Sequence, residues 1–382
     1  MTGLRVAMIQ DDWWPRTGGG PVHVRELSKA LVAEYDCEID IYTRRLIGSD
    51  GERFTEEEYL AGGDITIHRL GPCTDYWNPI GRVTSMVTPI IPVLRGHYDI
   101  IHGHAFLPAL PTKVTSMVGR TPSVFTVHGT ALTSSMDSDP RTMKKLKRRI
   151  EREFLFGFDY DHVISVNEEH VPLLERSQSN VSCIPNGVDI DRFDVDEPSI
   201  DGRILYLGRL GPKKRVSDLI LAFDRISEEY PDAELVIVGE GPLEDELHRL
   251  AEGTDATDRI VFTGRIDDTD IPRSYASAEL FVLPSAWEGH PLTLLEAWAA
   301  SRPVIASDVD GIAEFVDHEE TGYLVEPGDP AGLADALRYA LDHPEETRKW
   351  GEAGRERAEK EYSWKHAARR TWRVYEGLVD QE

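Results

Sequence analysis

Short runs rich in β-branched and apolar residues alternate with longer amphipathic stretches along this chain, and the alternation runs through twice. That rhythm is the pattern of βα units laid around parallel sheets. In the first half it predicts strands at Leu4–Gln10, Glu38–Thr43, Asp64–Leu70, Asp99–His104, Ser123–His128, His162–Asn167 and Val181–Pro185. Pro21–Tyr35 opens with a proline suited to a first helical turn and sets Val24, Leu27, Leu31 and Val32 on one face. The segment Asp189–Asp201 is acidic, contains proline and shows no periodicity, so it reads as a linker. Strands are expected again at Arg203–Gly208, Glu234–Gly239, Arg259–Gly264, Glu279–Pro284, Pro303–Ser307 and Gly322–Glu326. Beyond Trp364, the residues Trp364, Ala368, Trp372 and Tyr375 stand at helical spacing, a terminal helix that must cover something. A chain of 382 residues exceeds the ~250–300 at which one core stops growing. The expected organisation is a first domain over 1–188, a linker over 189–201, a second domain over 202–363 and a helix over 364–382 crossing back to the first domain. Two open parallel sheets of this kind bind ligands at the carboxyl ends of their strands, so function is sought in a cleft between the halves.

Charge narrows the partners. With 42 basic and 68 acidic side chains the formal net charge is −26, which argues against a nucleic-acid binder that neutralises phosphates. Only ten of the basic residues are Lys and 32 are Arg. An acidic, Lys-poor surface suits a salt-adapted protein whose self-repulsion is screened, the competing reading being an ordinary acidic cytosolic protein. Cys37, Cys73 and Cys183 are too far apart to suggest a zinc site or a disulfide framework. Met1–Gln10 is too short an apolar run for a signal peptide, and no stretch reaches the ~18 apolar residues of a membrane span. A cytoplasmic protein is expected.

Three loops carry residues suited to chemistry. Thr17-Gly18-Gly19-Gly20 lies between the first strand and the first helix, where glycines admit close backbone approach and the helix amino terminus favours an anion; a plain tight turn is the alternative. It is neither a Gly-x-Gly-x-x-Gly nor a P-loop pattern, which lowers the case for a dehydrogenase or a P-loop enzyme. Leu207-Gly208-Arg209-Leu210-Gly211-Pro212-Lys213-Lys214-Arg215 gathers four cations in an acidic chain and fits a phosphate, against a solvated charge run. In Ser285-Ala286-Trp287-Glu288-Gly289-His290-Pro291-Leu292-Thr293-Leu294-Leu295-Glu296, a strand ends and a helix begins near Pro291, so two carboxylates flank helix-end amides. Ordinary cap and surface residues are the alternative there.

Glu288 and Glu296 with Ala297-Trp298-Ala299-Ala300 and Arg302-Pro303-Val304-Ile305-Ala306 form a pattern that resembles the retaining family 4 glycosyltransferases of the GT-B fold. So do Gly208-Arg209 with Lys214, Val238-Gly239-Glu240-Gly241-Pro242 and Ile184-Pro185-Asn186-Gly187-Val188-Asp189. The resemblance spans nearly the whole chain and implies an α/β fold of two Rossmann-like domains facing across a cleft. It implies a nucleotide-diphosphate sugar as donor, a hydroxyl acceptor (a lipid-linked glycan, polysaccharide precursor or small glycoside) and no cofactor or essential metal. By the same resemblance Arg209 and Lys214 contact the diphosphate, Glu288 approaches the transferred sugar and Glu296 binds the ribose. The backbone from His290 through Pro291 to Leu292 supports sugar and phosphate, Arg265 and Ile266 meet the base, and Gly239 lets the nucleotide lie close. From the first half, Gly18 and Gly19 approach the phosphates and acceptor, His128 faces the donor sugar, and His104 is an acceptor-side candidate. This sequence departs from the family at His290-Pro291, where an aromatic residue followed by Gly is frequent, and at Arg215, where Gly is common.

Two further readings belong to the same residues. A nucleotide-sugar 2-epimerase shares the architecture, and a non-catalytic nucleotide-sugar-binding subunit would keep the same fold. Residues 141–152 hold seven basic side chains against one Glu, expected either to dock on anionic lipid at the inner face of the cell membrane or to form a solvated helix face. Asp-x-Asp triplets such as Asp137-Ser138-Asp139 and Asp308-Val309-Asp310 carry no metal signal in so acidic a chain.

Overall fold

The computed structural model describes residues 3–13, 18–47, 55–76, 78–128 and 157–380. The basic stretch 141–152 and Thr17 lie outside them. The chain divides into two compact units, Met1–Gly187 with Trp364–Glu382, and Val188–Ser363.

In the first unit eight strands form one sheet in the order β3-β4-β2-β1-β5-β6-β7-β8. They are β1 (Leu4–Gln10), β2 (Cys37–Leu46), β3 (Glu57–Leu60), β4 (Ile65–Thr74), β5 (Ile100–His104), β6 (Ser123–Val127), β7 (His162–Ser165) and β8 (Val181–Cys183). All neighbours run parallel except β3, which pairs antiparallel with β4. The expectation of a wholly parallel sheet is corrected by this edge strand. Its sequence Glu57-Glu58-Tyr59-Leu60 is mostly exposed and polar, as an outer strand must be to avoid pairing with other chains.

The helix Gly19–Glu34 follows β1 and buries Val24, Leu27 and Leu31, as its spacing predicts. Against it packs the terminal helix Trp364–Val379. Tyr35 and Trp372 stack with centroids 4.4 Å apart, Lys365 Nζ meets Glu34 at 2.9 Å, and Tyr375 OH lies 2.6 Å from His102 Nδ1. This helix therefore belongs to the core of the first unit although 176 residues of the second unit intervene in sequence.

The second unit holds a six-stranded, wholly parallel sheet in the order β11-β10-β9-β12-β13-β14. Its strands are β9 (Arg203–Leu207), β10 (Glu234–Val238), β11 (Ile260–Gly264), β12 (Leu280–Leu283), β13 (Val304–Ser307) and β14 (Tyr323–Val325). Successive strand residues face opposite cores, as the two-residue period of a strand requires. Ile204 and Tyr206 pack with the helices Val216–Ile226 and Pro330–Asp342, whereas Leu205 packs with Phe281, Trp298 and the Leu292–Ala299 helix. Trp298 is fully buried, donates Nε1–H to Thr321 O at 3.0 Å, and lies against Gly354, where a Cβ would come within 2.3 Å of the indole.

The segment Asp189–Asp201 is not a free linker. Asp189 caps a short helix, Ile190–Phe193, by accepting from Arg192 N at 3.2 Å, and Phe193 is buried against Tyr275. Four residues are too few to show a helical period, which is why the sequence pattern conceals this turn. Val188 pairs with Ser363, so the chain enters and leaves the second unit side by side. No helix among the described residues is long and apolar enough to cross a membrane.

Candidate active site

In the second unit the first strand, β9, is central, with β10 and β11 on one side and β12 to β14 on the other. Chain direction across the sheet thus reverses between β9 and β12, and at such a switch point the loops leave the carboxyl ends in opposite directions and open a crevice. The loops that leave these two strands hold Lys214 and Glu288. Lys214 Nζ donates to Glu288 Oε1 at 2.5 Å, and Ser285 Oγ donates to the same oxygen at 2.5 Å. Glu288 is buried, so two donors on one oxygen offset part of the cost of taking a carboxylate out of water. The backbone reinforces the contact, since Ala286 N donates to Lys213 O at 2.8 Å and the Lys213 ammonium lies 4.2 Å from the Trp287 ring centroid.

Arg209 is exposed at the mouth of the same loop, and its carbonyl accepts from Tyr206 OH at 3.1 Å. Arg215 sits in the left-handed region at φ +47°, where a side chain is disfavoured and glycine is not. That accounts for glycine being the common residue at this position. Arg215 holds the conformation with a 2.5 Å ion pair to Asp218 and with its guanidinium laid on Gly328.

Gly239 has φ +134°, and a Cβ there would stand 2.0 Å from Gly208 O. The glycine expected to admit a ligand is thus already required by the close approach of the β9 and β10 loops. Gly239 N donates to Gly264 O at 2.9 Å, which brings the start of the Arg265-Ile266 loop into line; Arg265 is exposed and Ile266 half-buried. Gly311, after β13, was not singled out from the sequence. At φ +79° its Cβ position lies 2.6 Å from Glu288 O, so only glycine lets the β13 loop back the Glu288-Gly289 turn.

Glu296 lies in the second turn of the Leu292–Ala299 helix, whose first amides, at Leu292 and Thr293, have no intrahelical acceptor. Tyr275 OH donates to Glu296 Oε2 at 2.9 Å. Burial raises the pKa of Glu296 above the ordinary carboxylate value; the Tyr275 hydrogen bond and the Arg192 guanidinium oppose this, and Asp268 adds to it. Arg192 comes from the segment read as a linker, so that segment supplies part of the electrostatic setting. His290 is buried edge-on against Phe315, centroids 4.4 Å apart, and near Tyr362. The departure at His290 is therefore an aromatic ring in an aromatic cluster, while Pro291 stands at the position before the helix without a side-chain cap.

In the first unit Gly18 and Gly19 open the helix after β1, both exposed, with nothing among the described residues within 4 Å of a Cβ at either. His104 ends β5 and His128 follows β6. His104 is fully buried and His128 half-buried, and both rings meet His23 of the first helix. Burial lowers all three pKa values, that of His23 to about 4, so the rings are neutral at pH 7. His23 escaped the sequence reading because it sits inside the apolar stripe of its helix; the only available signal was a histidine on a buried face.

Comparison with known proteins shows the family and the fold. A model described as "Glycosyl transferases group 1" matches residues 188–357, and one described as "Glycosyltransferase Family 4" matches residues 17–192. A glycogen synthase of Mycobacterium tuberculosis is 31% identical over 290 residues, covering 72% of this chain and 68% of the relative. Among solved structures, a sucrose-phosphate synthase from Thermosynechococcus elongatus superposes with a TM-score of 0.82 at 24% identity, over 99% of this chain and 100% of that one. Anabaena HepE in complex with UDP-glucose superposes at 0.76 with 18% identity, over 98% of this chain and 100% of that one.

Proposed function

Because this chain belongs to glycosyltransferase family 4, we propose that it moves a hexose-type unit from a nucleotide-diphosphate donor to a hydroxyl acceptor with retention of configuration. Its GT-B fold of two Rossmann-like units is in place, and the observation that carries the proposal is the Lys214–Glu288 pair at the sheet's switch point. The bound UDP-glucose of HepE supports a nucleotide-sugar as the donor class.

Breaking the bond from sugar to phosphate develops negative charge on the leaving diphosphate and positive charge on the anomeric carbon. Lys214 and Arg209 are assigned to the former, Arg209 with an exposed planar fork for two phosphate oxygens and Lys214 as a point charge. Glu288 stands beside Lys214 with its carboxylate toward the transferred sugar. Glu296, with one oxygen held by Tyr275, offers the other to ribose hydroxyls. The amides of His290 and Leu292 with the turn at Pro291 support sugar and phosphate, and Arg265 and Ile266 meet the base. From the first unit, Gly18 and Gly19 are assigned to the phosphates and acceptor, His128 to the donor sugar and His104 to the acceptor side. With the charge carried by these cations, transfer needs no metal. The acceptor deprotonates toward the departing phosphate on the same face.

The acceptor is a lipid-linked glycan in this reading. Of the large apolar side chains that stand exposed, Ile80 and Val83 lie on the helix Pro79–Ser85, Val87 in the turn after it, Ile91 on the helix Ile90–Gly96, and Met117 and Val118 on the helix Ala109–Gly119 that packs beside the last. Between Asp75 and Asp137 the sequence has one acid, Asp99, although the chain as a whole carries −26. An apolar face with Arg82, Arg95, Lys113 and Arg120 around it suits the surface of an anionic bilayer, as does the basic stretch 141–152. The enzyme then works at the cytoplasmic face of the membrane.

The test is a thermal-shift panel of UDP-, ADP- and GDP-sugars in high salt, followed by turnover of Lys214→Ala. Ligand that binds only the folded state raises the melting temperature. Losing one such charge-stabilising donor is expected to cut turnover about 10²–10³-fold. Wild-type turnover in Lys214→Ala would sink the assignment.

A further inference from the structure

The first unit contains a cluster of three histidines, of which the proposed transfer uses His128 and His104 but gives His23 no part. His23, His104 and His128 each bring a ring nitrogen within 4.8 Å of the other two. They come from three separate elements, namely the first helix, the end of β5 and the residue after β6. The cluster is therefore held by the fold and not by local sequence spacing. His23 Nδ1 lies 2.7 Å from Asn186 Oδ1 in a buried contact. The amide oxygen can only accept, so Nδ1 carries the proton and the lone pair of the neutral ring is at Nε2. No protein group among the described residues hydrogen-bonds His23 Nε2, either nitrogen of His104, or His128 Nε2. His23 and His104 are 2% and 0% exposed, so these nitrogens are also shielded from bulk water.

Buried polar nitrogens of this kind are ordinarily paired, and four in one place point to a shared partner. Three neutral imidazoles, one with its far nitrogen fixed by an amide oxygen, are a donor set that suits zinc-like ions and not magnesium or calcium, which take oxygen ligands. We propose that His23, His104 and His128 form a three-imidazole site for a divalent transition-metal ion, its remaining position open to water or a hydroxyl group. The three ligands all belong to the first unit, and none of Arg209, Lys214, Glu288 or Glu296 is among them. Since His128 is also assigned to the donor sugar, metal binding is read without turnover.

The full-length protein, stripped of metal with a chelator, is titrated with Co²⁺ and Zn²⁺ in the absence of nucleotide. The expected result is one ion per chain, with a visible cobalt spectrum of four-coordinate type. Affinity should fall by at least tenfold in His23→Gln and in His104→Gln, and stay unchanged in His318→Gln, an exposed histidine of the other unit. Asn186→Ala keeps every ligand but removes the group that orients His23, and is expected to weaken binding roughly 10–100-fold. It serves as the decisive variant should a ligand substitution fail to fold by circular dichroism. Absence of stoichiometric uptake by the wild type, meaning that buried water alone joins these rings, overturns the proposal. So does affinity that survives in folded His23→Gln or His104→Gln, or in Asn186→Ala when those do not fold. None of these outcomes bears on whether Lys214 is needed for transfer.

Discussion

Lys214 Nζ and Glu288 Oε1 stand 2.5 Å apart, joining the two loops between which the strand order of the second unit reverses. The two partners are not equivalent, since the carboxylate is 9% exposed and the lysine side chain 26%. Removing the lysine leaves a buried charge with Ser285 alone, whereas removing the carboxylate leaves an ammonium that reaches water. Lys214→Ala is therefore expected to lower stability more than Glu288→Gln does, by about 1–3 kcal/mol. Urea denaturation of both variants and the double variant measures this; equal losses would show that the pair is not held as described.

Glu296 gives a test against pH. Its pKa in the folded protein is raised by burial, so the native state holds that proton more tightly than the unfolded chain, whose value is near 4.5. The penalty is absent well below pH 4.5, grows as pH rises through that value, and is complete above the folded pKa. Glu296→Gln is expected to raise the melting temperature at pH 7, with the gain fading as pH falls from the folded pKa towards 4.5 and gone well below it. Nucleotide affinity should weaken in the same variant, because an amide oxygen accepts from ribose hydroxyls less strongly than a carboxylate. A variant less stable than wild type at pH 7 would contradict the role of burial.

Gly239 tests the packing of the two loops. Its dihedral alone, φ +134°, makes a side chain costly by about 1–3 kcal/mol, and the Gly208 carbonyl 2.0 Å from the Cβ position adds to that. Gly239→Ala is expected to lose stability and nucleotide binding together, whereas Gly18→Ala and Gly19→Ala should leave stability nearly unchanged, since no atom among the described residues stands in the way. Thermal melts of the three variants separate a glycine needed by the fold from glycines open to a ligand.

Much of this was legible from the residues, for physical reasons that also mark where legibility stopped. Leu4–Gln10 was bounded to the residue because a central parallel strand is apolar on both faces and ends at charge. Lys214, Glu288 and Glu296 stood out because cations and carboxylates beside strand ends have few structural reasons to be there. Gly311 and Tyr275 did not, since their importance lies in a 2.6 Å approach to a distant carbonyl and in a 2.9 Å hydrogen bond across 21 residues. The Ile190–Phe193 turn was too short for its period to show, and Glu57–Leu60 too polar to be recognised as a strand. Arg215 was noticed as a departure, but only its left-handed backbone explains what the departure costs.

The terminal helix supplies a stability test remote from the site. Tyr375 OH pairs with His102 Nδ1 at 2.6 Å, and Thr126 Oγ1 lies 2.7 Å from the other ring nitrogen, so a fully buried imidazole is satisfied at both ends. Tyr375→Phe keeps the packing but orphans one nitrogen, at an expected cost of about 1–3 kcal/mol. A shift of the urea midpoint without change in slope would show it, and an unchanged midpoint would mean that the helix is held by its apolar face alone.

Ile80, Val83 and Ile91 decide whether the apolar face meets a membrane. Each is at least 60% exposed, so a charge there disturbs no core and should alter stability by no more than about 0.5 kcal/mol. On an anionic bilayer the same change removes buried apolar area and places a negative charge against negative headgroups. The triple variant Ile80→Glu, Val83→Glu, Ile91→Glu is expected to stay in the dense fraction when vesicles of anionic lipid are floated, while the wild type rises with them. Vesicles of zwitterionic lipid should carry less of the wild type, and added salt should reduce flotation on anionic ones, because part of the attraction is screened Coulomb energy. Charge reversal within 141–152 supplies the second arm: loss of flotation there but not in the triple variant would move the contact from the apolar face to the basic stretch. Flotation unaffected by either set would remove the bilayer as partner and, with it, the reason for favouring a lipid-linked acceptor.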